Sequence, residues 1–125
     1  MALENYVGPP PHELAKGFIE SWKTFREMME DSLKAPNLPD DVEMKFLVLK
    51  AQVVQRSRIL ATVTEGKWNI HEKVKGLLNT CQSLEYIRQE SPIIHDNIRN
   101  LWHDSFIQAS KSVAVFESEY QEDTA

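Results

Sequence analysis

Arg99 and His103 stand four residues apart, so on a helix they share one face. A histidine placed there can act as acid or base at a ribose 2′-hydroxyl, and an arginine can stabilise charge developing on a phosphate. Asp96 and Asn100 fall on the same stripe, and the plainer alternative is a polar face turned to water. The other histidines, His12, His71 and His95, raise the question of a metal. His71 is followed by Glu72, His95 by Asp96 and His103 by Asp104. Adjacent residues on a helix point about 100° apart, however, and do not converge on one ion. Asp96 and His103, seven apart, share a face and supply two ligands at most, and the inward Glu-x-x-His pairs of carboxylate bundles are missing. Neither a metal nor any other cofactor is expected.

The run Arg99-Asn100-Leu101-Trp102-His103 resembles the Arg-to-His signature of HEPN ribonucleases, themselves four-helix proteins of about this size. That motif often begins Arg-Asn and carries about four to six residues between the arginine and the histidine. Here three intervene. Arg88 and His95 have six between them, but Ser91-Pro92 breaks any helix that would hold both. The resemblance spans a handful of residues. It implies an RNA-cleaving enzyme with Arg99 and His103 as the catalytic pair, completed by a second pair from a dimer partner. Charge points the other way: 14 lysines and arginines face 19 acidic residues, a net charge of -5. Nucleic-acid phosphates demand a basic face, so nucleic acid is not the expected partner.

Two more groups are candidates for binding. Lys45, Lys50, Arg56 and Arg58 gather in one segment, where they could meet an acidic partner or a phosphate. Arg56 is the one that lies on an apolar seam, where a charged residue snorkels outward or fixes register by pairing with a neighbouring carboxylate. Phe18, Trp22, Phe25, Trp102, Phe106 and Phe116 could line an apolar pocket, although aromatics at helical spacing commonly form plain core. The one cysteine, Cys81, excludes an internal disulfide. Lying between Leu77 and Leu84, it reads as a small buried hydrophobe.

These residues must be positioned by helices. From about His12 to Ala35, apolar residues recur at Leu14, Phe18, Trp22, Phe25, Met29 and Leu33, in steps of three and four. Pro36-Asn37-Leu38-Pro39 ends that segment, and Asp40 and Asp41 suit the start of the next. A second helix follows to about Thr64, with Val42, Phe46, Leu49, Val53, Arg56, Leu60 and Val63 as a heptad seam. Leu47, Val48 and Val54 lie off the seam, which predicts burial on more than one side. Residues 59–70 would also read as a hairpin around Glu65-Gly66-Lys67. A helix stopped by Gly66 is preferred, because the heptad steps continue through Val63.

Asn69 is placed to cap a third helix running to Glu90, with Ile70, Val74, Leu77, Cys81 and Leu84 as its core face. Ser91-Pro92 restarts the chain into a fourth helix, to about Tyr120. That helix has two stripes: Ile94, Ile98 and Leu101, then Trp102, Phe106, Ala109, Val113, Phe116 and Tyr120.

The expectation is an all-α protein, an antiparallel up-down-up-down four-helix bundle over residues 12–120. A Pro-rich extended leader occupies 1–11 and a frayed acidic tail 121–125. The N-terminus has no basic segment followed by an apolar run, and no apolar stretch approaches the roughly 20 residues a membrane span needs. That points to the cytoplasm. The spare apolar surface on the second and fourth helices points to a non-enzymatic protein–protein interaction module that forms a homodimer. The RNA-cleaving enzyme is the alternative. A sensor for a small apolar ligand is the third, and Arg56, Trp22, Trp102 and Phe106 are the candidate contacts for a ligand or a partner.

Overall fold

In the computed structural model, which describes residues 7–124, the chain is all helical, with five helices and no strand among the described residues. They are α1 (Pro11–Lys34), α2 (Asp40–Val63), α3 (His71–Thr80), α4 (Leu84–Gln89) and α5 (Pro92–Thr124). The first six residues of the expected leader, and Ala125 at the end of the tail, lie outside the described residues.

Helix α1 is the central element and packs against α2, α4 and α5. Its inner face buries Phe18, Trp22, Phe25 and Met29 at the spacing the sequence predicts, with Ala15 fully buried beside a half-buried Leu14, and Leu33 half-buried at the far end. Pro11 opens it rather than ending the leader, as suits a residue whose missing N–H would have no helical partner. Helices α1 and α2 run in opposite senses, since Phe25 stacks on Phe46 while Gly17 meets Arg56. Helices α1 and α5 do likewise, Glu30 meeting Arg99 and Lys16 meeting Glu117. Helix α3 closes against both α2 and α5.

Three sequence expectations need correction here. The helix expected over 69–90 is two helices, broken at Cys81-Gln82-Ser83. Ser83 takes the N-cap of α4, its hydroxyl accepting from the Tyr86 N–H at 3.0 Å. The Glu43 carboxylate, reaching over from α2, accepts from the N–H groups of Leu84 and Glu85 at 2.8 and 3.0 Å. Four orphan donors at a helix start are a standing cost, and two residues meet three of them here. The expected cap Asn69 is also displaced: α3 starts one residue later, with Ile70 at its N-cap and no capping side chain.

The second correction concerns the inner seam of α2, which is Phe46, Leu49, Val53, Ser57 and Leu60. Ser57 takes the place assigned to Arg56, and Arg56 is exposed. Of the off-seam residues expected to be covered, Leu47 and Val48 are exposed, whereas Val54 is half-buried and packs against the core. Third, α5 continues as helix to Thr124 through the segment expected as a frayed tail.

The helix-stop reading of residues 59–70 holds. Glu65 and Gly66 both take positive φ, at 52° and 89°, and the Gly66 N–H returns to the Ala61 carbonyl at 2.9 Å. This is the Schellman closure, with Glu65 at the left-handed C′ position usually held by glycine and its N–H returning to the Thr62 carbonyl at 3.2 Å. Gly66, one residue on, takes its own positive φ without a Cβ penalty. Trp68 then folds back into the core. Among the described residues no helix is long and apolar enough to cross a membrane.

Candidate functional site

Arg99 and His103 do lie on one face of α5, bordering a shallow groove with Arg26, Asp96 and Asn100. What Arg99 does there is specific. Its Nε and Nη2 donate to the two oxygens of Glu30 on α1 at 2.7 and 2.8 Å, and its Nη1 donates to Asp96 at 2.8 Å. Arg26 donates to the same Glu30 at 2.8 Å and lays its guanidinium over the Trp102 ring, 5.1 Å from the centroid. The paired Arg99 guanidinium holds the Glu30 carboxyl down at about 2. In return, the Glu30 hydrogen bonds raise Arg99 above the ordinary arginine range. Two guanidinium groups and two carboxylates close into a neutral quartet. Its donors are directed at its own acids, so the cationic charge an RNA phosphate would need is already compensated. His103 is exposed at its edge.

The aromatic candidates form a continuous stack. Trp22 and Trp102 lie parallel at 6.0 Å between centroids, with Phe25 against Trp22 at 5.3 Å and Phe106 against Trp102 at 5.1 Å. Each indole N–H donates to the backbone carbonyl of the other tryptophan, Trp22 to Trp102 at 3.2 Å and Trp102 to Trp22 at 2.8 Å. This reciprocal clasp locks α1 to α5 and satisfies both buried donors. The rings occupy one another's faces, and Trp22 is fully buried.

Of the basic candidates on α2, Arg56 and Lys50 are engaged across helices. Arg56 donates to the Gly17 carbonyl at 3.1 Å, a cross-helix tie in place of the expected carboxylate partner. Lys50 donates to the Gln82 carbonyl at 3.2 Å, and burial lowers its pKa. Cys81 is buried at the end of α3, where burial pushes its thiol up to about 12, the setting of an inert cysteine.

Sequence reading missed a buried polar cluster on the inner side of α2. The Ser57 hydroxyl accepts from Trp68 Nε1 at 2.9 Å and lies 2.9 Å from Nδ1 of His71. Donating its own proton to that nitrogen satisfies all three groups and keeps His71 neutral. Burial lowers the His71 pKa in the same sense. The other early histidines are structural too. His95 donates to the Ile87 carbonyl at 2.6 Å, and the His12 ring lies against Tyr120 at 4.7 Å. Among the described residues no group of three His, Cys, Asp or Glu side chains could hold a metal ion.

What remains open is the outward side of α2. Met44, Leu47 and Val48 are exposed by 64%, 46% and 50%. Ala51 follows one turn on, and a shallow groove runs from it past Val54 and Arg58 to Leu78 and Asn79 on α3. No family model, curated protein or solved structure matches the chain. The molecule's own surface therefore carries the functional argument. Helix α5 also exposes Ile93, Leu101, Ile107 and Val115, with Asn97, Asp104 and Lys111 spaced between them. On α2, Met44, Leu47 and Val48 fall at helical spacing on one side with no charged residue among the three. The signal was present in the sequence as the off-seam Leu47 and Val48.

Proposed function

We propose that this chain is a non-enzymatic helical interaction module that associates with a second copy of itself. Its scaffold is an antiparallel bundle of four corners, with α3 and α4 sharing the third, and the setting is cytoplasmic. The observation that carries the reading is the exposed run Met44, Leu47, Val48 on α2. A contiguous apolar strip left in water marks an interface far more often than an accident of composition. Light scattering coupled to size exclusion, from micromolar to millimolar protein, tests this. A mass rising toward twice 14.4 kDa is expected. A fixed monomer mass across the range removes self-association.

One observation favours a second reading, RNA cleavage: His103 is exposed beside Arg26 and Arg99 in the same groove. Incubating labelled RNA with the protein and with His103→Ala distinguishes the two. The interaction module predicts identical, uncut RNA in both. Cleavage that disappears with the substitution would establish the enzyme instead. The third reading, a sensor for a small apolar ligand, draws less support, because Trp22, Phe25 and Trp102 stack on one another between α1 and α5.

A further inference from the structure

Resting on the self-association reading, the geometry points to one interface: α2 pairs with α2 of a second copy, antiparallel, about a two-fold axis that crosses the outward side of the helix at the level of residue 49. The inner seam of α2 is spent on the core. On the outward side a second seam emerges at Asp40, Met44, Leu47, Ala51, Val54 and Arg58. Its steps are four, three, four, three and four, the heptad alternation of a coiled-coil face. Val54 is half-buried at the rim of the α3 groove, and the other five are exposed. Ordinary amphipathic helices have one such stripe, and α2 has two on opposite sides.

The outward seam is its own complement when reversed. A two-fold axis at residue 49 sets Asp40 against the partner's Arg58, Met44 against the partner's Val54, and Leu47 against the partner's Ala51. Each layer joins a larger side chain to a smaller one, which lets two helices approach closely. Oppositely charged residues close both ends of the seam. Neither Asp40 nor Arg58 makes an ion pair inside the chain among the described residues. A parallel pairing would instead set aspartate against aspartate and arginine against arginine, so charge selects the antiparallel sense. Opposed helix dipoles favour the same sense. Lys50 flanks the seam near the axis, where two copies would repel, but its ammonium is turned back toward the Gln82 carbonyl and the Phe46 ring. From residue 40 to residue 58 the seam is about 28 Å long at 1.5 Å per residue. One helix pair of that length makes a small interface, of the reversible rather than the obligate kind.

Sedimentation equilibrium on the full chain tests the arrangement, with far-UV circular dichroism and thermal melting as fold controls. Ala51→Glu sits on an exposed helix position, so the fold should be retained. It places two carboxylates near the axis, and the dimer should weaken by roughly a hundredfold. Asp40→Arg and Arg58→Asp, made singly, should each weaken it by roughly five- to tenfold, because each breaks both symmetric pairs. Combining D40R with R58D reverses every end pair, and affinity should return to within about twofold of the parent. A parent dimer indifferent to A51E would move the interface elsewhere and overturn this pairing, while leaving self-association standing. Single reversals that weaken without rescue in the double variant would overturn the antiparallel register. A parent that stays monomeric would overturn both the pairing and the reading beneath it.

Discussion

The face of α1 that meets α5 and the outward face of α2 are built from the same kind of residue at the same spacing. In the first, Trp22 and Trp102 exchange hydrogen bonds with each other's backbone, and Glu30 holds Arg99 in a two-pronged grip. In the second, Met44, Leu47 and Val48 meet water, and the charges at the two ends have no ion-pair partner within the chain among the described residues. Helical periodicity says which side chains travel together. It does not say whether the chain itself covers them. The surrounding polar groups are more telling: at an internal contact they are paired.

The largest contrast should appear in stability. Trp22→Ala removes a fully buried indole from the middle of the stack and strips the Trp102 carbonyl of its donor. A loss of about 3–5 kcal/mol is expected in urea denaturation at a concentration where the protein is monomeric. Leu47→Ala under the same conditions should change stability by less than about 0.5 kcal/mol. Comparable losses at the two positions would mean that the outward face is buried in solution within a single chain, and the contrast would collapse.

The ionic half of the α1–α5 contact should respond to acid. The Glu30 carboxyl lies at about 2 in the folded chain against an ordinary value of 4.5. A depressed carboxylate contributes stability above its unfolded pKa and loses it as pH falls toward the folded one. The contribution should therefore be full above about pH 5 and fade between there and about pH 2. Glu30→Gln should remove about 1–2 kcal/mol at neutral pH, allowing for solvent screening of a partly exposed pair. It should also flatten the acid limb of the urea midpoint plotted against pH. An unchanged acid limb would show that the grip on Arg99 carries no stability.

The long helices were legible because α1 repeats its apolar residues without interruption, and because Gly66 and Pro92 punctuate the chain where the structure turns. The break at residue 81 was not. Leu77, Cys81 and Leu84 keep helical spacing across it, so an apolar pattern alone runs straight through. The local signal was propensity: Asn79, Thr80, Cys81 and Ser83 are all weak helix formers. The capping carboxylate of Glu43 lies 41 residues from Leu84, beyond any local reading. Arg99 shows the same limit at the candidate site. Its spacing from His103 was visible, whereas its commitment to Glu30, 69 residues earlier, arises only when α1 and α5 meet. Pairing over such distances is a property of packing.

That break offers a third and smaller test. Glu43 stands on the flank of α2, between the covered and open faces, and serves the N–H groups of Leu84 and Glu85. Glu43→Ala should cost about 1 kcal/mol, the usual worth of a helix cap. It should also speed amide exchange at residues 84–86 selectively, with α1 and α5 unchanged. Exchange that rises uniformly would mean that α4 has no local stability of its own.

The smallest effect should come from the inner face of α2, where the cluster at Ser57 contrasts with the charged ends of the outer seam. His71 sits beside the Ser57 hydroxyl, and burial lowers its pKa. A histidine held below its unfolded value favours folding while neutral, so its contribution is present above about pH 6.5 and declines as the unfolded chain takes up the proton first. Lowering the pH from 7.5 to 5.5 should then cost the parent chain more stability than it costs His71→Gln, which keeps a hydrogen-bonding side chain but does not titrate. The urea midpoints of the two should converge on the acidic side. Parallel profiles would place His71 among the groups that pack without sensing protons, and the difference between the two faces of α2 would then rest on exposure alone.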